Sequence, residues 1–140
     1  MKAPLEIHAY EIYAGSVRTV AALALDGSDD LANYLAKLRK SNPKGHDILH
    51  GYFKTLCNER ELHERCTFKC LDRAAGLYEF RPSSLRLYCF VYENTLVLLT
   101  NGGTKNNKKE QSRDIARARK IQKETLDRVK AGANIDIISQ

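Results

Sequence analysis

The chain has 140 residues, the usual size of one domain, and 43% of them are hydrophobic, which is enough to build a single core. It contains no run of 18 apolar residues, and its first ten residues, MKAPLEIHAY, lack the apolar segment of a signal peptide. We therefore expect one cytoplasmic domain over residues 1–140, without a membrane segment.

The net charge of +6 is concentrated in one segment. Residues 105–130 contain ten Lys or Arg against four Asp or Glu, so the remainder of the chain carries equal numbers of both signs. A basic patch of this kind favours binding to phosphates or to an acidic partner.

The N-terminal half predicts a hairpin followed by two helices. Residues 5–13 alternate as a strand does, and residues 17–25 form a second aliphatic run, although VAALAL also has helical propensity. Ser28 can cap a helix that ends before Pro43, and a second helix is expected over residues 46–59. Residues 66–71 could add a short strand.

Residues 76–104 have the pattern of an antiparallel meander. Three strand-like runs, 77–81, 85–92 and 95–100, are separated by turns that contain Pro-Ser-Ser, Glu-Asn and Gly-Gly. Because side chains alternate along a strand, the middle run places aliphatic residues on one face and Arg86, Tyr88 and two more aromatic residues on the other. An arginine belongs in a core only where an anionic group meets it.

A long amphipathic helix is expected from about residue 108 to 131. Its apolar stripe includes Ile115, Ala118, Leu126 and Val129, and the opposite face is rich in Arg and Lys. Such a face can also be a solvated surface, and that alternative stays open. Residues 132–140 either dock as a short strand or remain loose.

The order of these elements over residues 76–125 resembles the RelE/ParE toxins, and most closely HigB and its phage-derived branch. The resemblance is carried by Leu-Tyr-Glu-Phe-Arg, Leu-Arg-Leu-Tyr-Cys-Phe-Val-Tyr, a Leu-Val-Leu-Leu strand and a Gly-Gly-Thr-Lys turn that opens a basic helix. It implies an α+β fold: a small antiparallel sheet with two N-terminal helices on one face and a basic C-terminal helix at its edge.

The resemblance also implies a function and a site. The function is that of the toxin of a type II toxin–antitoxin pair, a metal-independent endoribonuclease that cleaves mRNA at the ribosome and is neutralised by an antitoxin, expected to be of the helix-turn-helix type. Fixed cations suit this chemistry because they stabilise the charge that develops on phosphorus. The implied catalytic residues are Arg81, Arg86 and Lys105. RNA binding is expected from Tyr88, Lys108, Lys109, Arg113 and Arg117, with no cofactor or metal.

Two other classes of function stay open because the sequence identifies no general base. Glu79 stands where some relatives carry lysine, and the tyrosine or histidine that often follows the Gly-Lys turn is absent. Arg81 and Arg86 could instead be strand residues that pair with Glu79 or Glu93. The alternatives are a ParE-like inhibitor of a protein such as gyrase, and a non-toxic RNA-binding or phage accessory module.

Other motifs give little support to other chemistry. The spacing of His63, Cys66 and Cys70 is not a closed zinc pattern, so the four cysteines are expected to be free thiols. The P-loop pattern GxxxxGK[ST] and the hydrolase pattern GxSxG do not occur, so neither motif supports nucleotide binding or a serine hydrolase.

Overall fold

The computed structural model describes residues 6–25, 30–62, 64, 68–82, 84–104 and 107–139. Over these ranges the chain forms seven strands and three helices. In chain order they are β1 (Ile7–Ala14), β2 (Thr19–Ala24), α1 (Asp30–Ser41), α2 (Pro43–Asn58), β3 (Phe68–Asp72), β4 (Leu77–Phe80), β5 (Leu85–Tyr92), β6 (Leu96–Thr104), α3 (Lys108–Lys130) and β7 (Ile135–Ile138). The expected cap at Ser28 lies outside the described residues.

The seven strands form one mixed sheet in the order β3-β4-β5-β6-β2-β1-β7. Strands β4 to β6 form the expected antiparallel meander, and β3, the short strand suggested near residues 66–71, pairs antiparallel with β4. The N-terminal hairpin of β1 and β2 joins it through parallel pairing of β2 with β6, and β7 pairs in parallel with β1. A small antiparallel sheet therefore describes only half of the observed sheet, because parallel pairing between distant segments leaves no local sequence signal.

Helices cover both faces of the sheet. The buried side chains of α1 and α2 pack on one face against Val20, Leu87, Cys89 and Leu99. The apolar side of α3 packs on the other face, against a set that includes Tyr88, Phe90 and Leu98. The C-terminal helix thus lies across the second face rather than at the edge, because the aromatic residues of β5 make that face as apolar as the first.

Both ends of α3 are closed by the chain itself. The side chain of Asn107 accepts a hydrogen bond from the backbone N–H of Glu110 at 2.9 Å. At the other end the N–H groups of Gly132 and Ala133 donate to the carbonyls of Val129 and Arg128, with Gly132 at a φ of +101°. The chain then turns into β7, so the C-terminal segment docks as a strand.

A buried arginine ties the N-terminal hairpin to the rest of the fold. Arg18 is 2% exposed, and its Nη1 donates to the carbonyl oxygens of Leu56 and Glu59 at 3.0 and 2.7 Å. Its Nη2 donates to the carbonyl of Arg60 and to Oδ1 of Asn94, both at 3.0 Å. Arg18 therefore satisfies carbonyls at the C-terminal end of α2 and holds the β5–β6 turn beside them.

Among the described residues, no helix combines the length and the apolar character needed to cross a membrane.

Candidate functional site

A group of polar side chains lies on the sheet face that α3 covers. The register places Glu79 opposite Tyr88 and Arg86 opposite Gly103 on the neighbouring strands. Because side chains alternate along a strand, Arg81 shares this face with Glu79. We call Glu79, Arg81, Arg86 and Tyr88 the polar cluster.

The polar cluster combines one carboxylate with two arginines. Nε of Arg81 lies 3.5 Å from Oε1 of Glu79, and the Arg81 side chain is 35% exposed while that of Glu79 is 11% exposed. Arg86 is 3% exposed, and its Nη1 donates to the carbonyl of Leu85 at 2.7 Å. Arg81 is therefore the cation of this cluster that solvent reaches, whereas Arg86 is buried.

Burial dominates the acid–base properties of the cluster. It raises the pKa of Glu79, although the charges of Arg81 and Arg86 partly oppose the shift. Burial, followed by the negative charges of Glu79 and Asp114, raises the pKa of Tyr88 to about 12. The Tyr88 side chain is fully buried, and its hydroxyl has no hydrogen-bond partner among the described residues. Tyr88 is thus a neutral phenol beneath α3 at physiological pH.

The first half of α3 is anchored beside the polar cluster by β6. Nδ2 of Asn101 donates to the carbonyl of Asp114 at 3.0 Å. Gly103 leaves room for the Asp114 carboxylate, which a side chain on Gly103 would meet directly. Burial and the neighbouring Glu110 raise the pKa of Asp114. Gly103 thus lets the helix approach the strand at the point where Arg86 pairs with β6.

Further along, α3 is fixed to the β3–β4 connection. Nη1 of Arg119 lies 2.7 Å from Oδ2 of Asp72, and Nε2 of Gln122 donates to the carbonyl of Ala75 at 2.5 Å. These contacts, together with that of Asn101, hold the basic helix at three points over the sheet.

The expected RNA-binding cations of α3 are all on its solvent side. Lys108, Lys109, Arg113 and Arg117 are exposed. Lys105, the third expected catalytic residue, lies outside the described residues. The structure therefore brings Arg81, Arg86 and Tyr88 together and places an exposed row of positive charge on the helix above them.

Potential metal ligands lie away from this cluster. Side-chain ligand atoms of Glu6, His8 and Asp136 lie within 4.8 Å of one another on the solvent-exposed β1–β7 edge. Exposed carboxylates often group in this way without an ion, so we assign this group no role. Cys57, Cys70 and Cys89 carry free thiols, whereas His63 and Cys66 lie outside the described residues.

Residues 30–123 match the protein family described as Phage derived protein Gp49-like (DUF891). The match covers more than half of the chain and extends from the first residue of α1 into α3. The chain belongs to the Gp49-like family. This family is part of the RelE/HigB-like toxin superfamily, which is the wider group that the sequence pattern indicated. No protein of curated function matches the sequence.

The match leaves two parts of this Gp49-like protein unassigned. The β1–β2 hairpin precedes it and β7 follows it, so three strands of the sheet lie outside the family segment. The more specific placement in the HigB branch stays a prediction.

Sequence reasoning identified one further residue of this site only in part and missed another. Glu79 was treated as a departure from the pattern of relatives and, in the alternative interpretation, as a partner for Arg81 or Arg86; the structure has the Arg81–Glu79 pair. No sequence pattern placed Asp114 at this site, because its position depends on how α3 crosses β6.

Proposed function

We propose that this Gp49-like protein is the toxin of a toxin–antitoxin pair and that it cleaves mRNA without a metal. Membership of a phage-derived, toxin-like family carries the proposal. The polar cluster supports it, because two arginines and a carboxylate with a raised pKa are grouped beneath an exposed cationic helix. Positive charge at a phosphate and a nearby proton acceptor are what this reaction requires.

The reaction transfers the phosphoryl group within the RNA strand. The 2′ oxygen loses its proton and bonds to phosphorus, and the bond from phosphorus to the 5′ oxygen breaks as that oxygen gains a proton. We assign phosphate contact to Arg81 and Lys105. Arg86 adds its positive charge from a buried position. Glu79 is the candidate proton acceptor, since a raised pKa makes a carboxylate a better base. Once protonated, it can return the proton to the leaving oxygen.

RNA binding is assigned to the exposed side of α3. Lys108, Lys109, Arg113 and Arg117 provide positive charge that attracts any RNA sequence. Tyr88 was also expected to bind RNA, but its side chain is fully buried, so RNA contact is assigned to the cations alone. The same exposed cations suit an acidic surface of an antitoxin of the helix-turn-helix type, which would block access to the ribosome and mRNA in the cytoplasm.

The burial of Arg86 and Tyr88 favours a second candidate function. A protein whose arginine and tyrosine are covered by a helix can act through its outer surface alone. This is the ParE-like alternative, in which the toxin inhibits a protein target such as gyrase without chemistry. It predicts the same arrest of growth, but with intact mRNA and altered supercoiling.

Expression of the chain alone in a bacterial host tests both candidates. We expect growth to stop with loss of intact mRNA, and we expect Arg81→Ala combined with Lys105→Ala to relieve the arrest by removing two cations from the phosphate. Loss of such a donor costs about 3 kcal/mol of transition-state stabilisation. RNA integrity and plasmid supercoiling are measured in the same cultures.

A matched control is Lys37→Ala combined with Lys54→Ala, because both residues are exposed on α1 and α2, beyond the opposite sheet face. This variant should remain toxic. Arrest with intact mRNA and altered supercoiling would establish the inhibitor instead. Full toxicity of the folded Arg81 and Lys105 variant would remove these residues from the mechanism.

A further inference from the structure

Near the centre of the sheet, the chain leaves two neighbouring parallel strands towards opposite faces. β2 and β6 run in parallel, with Ala22 beside Leu99. After β2 the chain enters α1 on one face of the sheet, and after β6 it enters α3 on the other. Such a divergence opens a crevice at the carboxyl ends of the two strands, which is where open α/β sheets bind ligands.

A cavity of about 650 Å³ lies at this point. It is bounded by the end of β2, the Thr100–Gly103 segment of β6, the start of α1 and the middle of α3. Its volume is in the range of pockets that hold small organic ligands and cofactors.

The walls of the cavity are apolar and aromatic. Leu23 and Leu25 at the end of β2, Leu31 of α1 and Ile121 of α3 line it. The ring of Tyr34 packs on Gly102, where an added Cβ would lie 3.1 Å from Cε1 of the ring. Glycine at this position therefore lets the tyrosine ring approach the strand closely, and the ring forms part of the cavity wall.

Charged groups of both signs also line the cavity. Arg117 and Lys120 lie three residues apart on α3 and both line the cavity, so one anionic group can contact them together. Asp30 and Glu124 line it as well. Carboxylates next to such a crevice are suited to accept hydrogen bonds from sugar hydroxyls.

We propose that this crevice binds a ribonucleoside phosphate. The base lies against Tyr34 and the leucine wall, the ribose hydroxyls donate to Asp30 or Glu124, and the phosphate contacts Arg117 and Lys120. This site needs no P-loop, since the cations come from side chains rather than from a glycine-rich turn. The ligand is either a free nucleotide or one nucleotide of an RNA strand, and the chemistry recognised is the same.

Isothermal titration of the full-length protein tests the site directly. The probes are the four ribonucleoside 5′-monophosphates, the matching nucleosides, inorganic phosphate and a short single-stranded RNA. We expect a monophosphate to bind at least about tenfold more tightly than its nucleoside or phosphate alone, because both parts of the cavity contribute. The 2′-deoxy form should bind several-fold more weakly.

Charge reversal at the cavity supplies the matched comparison. Lys120→Glu and Arg117→Glu should each weaken nucleotide binding about tenfold or more, whereas Lys54→Glu on α2 makes the same charge change away from the cavity and should leave binding unchanged. Thermal unfolding of each variant checks the fold, and Lys120→Gln serves if the reversal destabilises it.

The outcomes separate the possibilities. Tighter binding of the short RNA than of any monophosphate, weakened about tenfold by Lys120→Glu, would identify a strand as the source of the nucleotide, because Lys120 lines the cavity and is not among the cations assigned to the RNA-binding surface. Tighter binding of a monophosphate would identify free nucleotide. No binding at millimolar nucleotide, equal binding of phosphate alone, or unchanged affinity in the folded Lys120 and Arg117 variants would overturn the proposal. Because toxicity is not measured, these results are independent of RNA cleavage.

Discussion

The raised pKa of Glu79 makes the stability of the folded protein depend on pH. Burial raises its pKa above the ordinary value of 4.5, so the folded protein retains a proton on Glu79 that the unfolded chain has already released. The stability that this proton provides is present at low pH and is lost as the pH rises through the raised pKa. Glu79→Gln cannot titrate, so this variant is the reference for the effect.

We therefore expect the unfolding free energy of the wild type, minus that of Glu79→Gln, to fall as the pH rises from 4.5 towards 7. Urea unfolding at a series of pH values measures this difference. Parallel curves would mean that Glu79 is solvated in the folded protein, and its assignment as a proton acceptor with a raised pKa would then be wrong.

For individual residues, the sequence identified the arginines of the polar cluster but not how deeply they are buried. Alternation in β5 placed Arg86 and Tyr88 on one face, and the structure has them there. Their burial could not be predicted, because it depends on α3 crossing that face. Arg18 was missed for a similar reason: its four contacts involve residues 38 to 76 positions away.

The C-terminal end of α3 offers a test at the scale of one element. Gly132 has a φ of +101°, a region that a side chain disfavours, and its N–H and that of Ala133 close the last turn of the helix. Gly132→Ala should lower the unfolding free energy by about 1 to 2 kcal/mol. It should also loosen β7, which begins three residues later.

The same substitution at another glycine provides the control. Gly51 is exposed within α2, and an added Cβ there meets no atom within 4 Å. Gly51→Ala should therefore raise the unfolding free energy by about 0.5 to 1 kcal/mol, since alanine favours helix. Denaturant unfolding gives both values, and a loss of stability in both variants would show that the backbone conformation at Gly132 is not the cause.

Elements with a strong local signal were predicted closely. The third helix was expected from about residue 108 to 131 and spans Lys108–Lys130, because an N-cap, a long stripe and a terminal glycine all lie in the sequence. The second helix was expected to begin near residue 46 but begins at Pro43, where proline occupies its first turn and the Asn42 side chain caps it. Proline was interpreted there only as a helix stop, although it also favours a helix start.

The arrangement of the whole molecule was harder to predict from the sequence than its separate helices and strands. Helices cover the two apolar faces of β5, whereas the sequence predicted two N-terminal helices on one face and a basic helix at the edge of the sheet. The parallel pairing of β2 with β6 and of β1 with β7 joins the chain ends to the meander, and such pairings follow from global packing. The crevice between α1 and α3 depends on that topology, so no local pattern of residues indicated it.

The distribution of charge over the whole molecule leads to a test of RNA binding. The charge excess lies on α3 and the turn before it, while α1 and α2 lie on the opposite side of the sheet. We expect Lys109→Glu, Arg113→Glu and Arg117→Glu together to weaken binding of single-stranded RNA. The slope of log affinity against log salt should become shallower by about 2, since each lost phosphate contact removes about 0.7.

The matched control reverses Lys37, Lys44 and Lys54, which are exposed on α1 and α2 and give the same change in net charge. If the α3 surface contacts RNA, this control keeps nearly the wild-type salt slope, because charges beyond about 10 Å are screened at 0.1 M salt. Affinity is measured at several salt concentrations, together with thermal unfolding of each variant. Equal effects of the two triple variants would mean that only the total charge matters, and the basic side of α3 would then be a solvated surface.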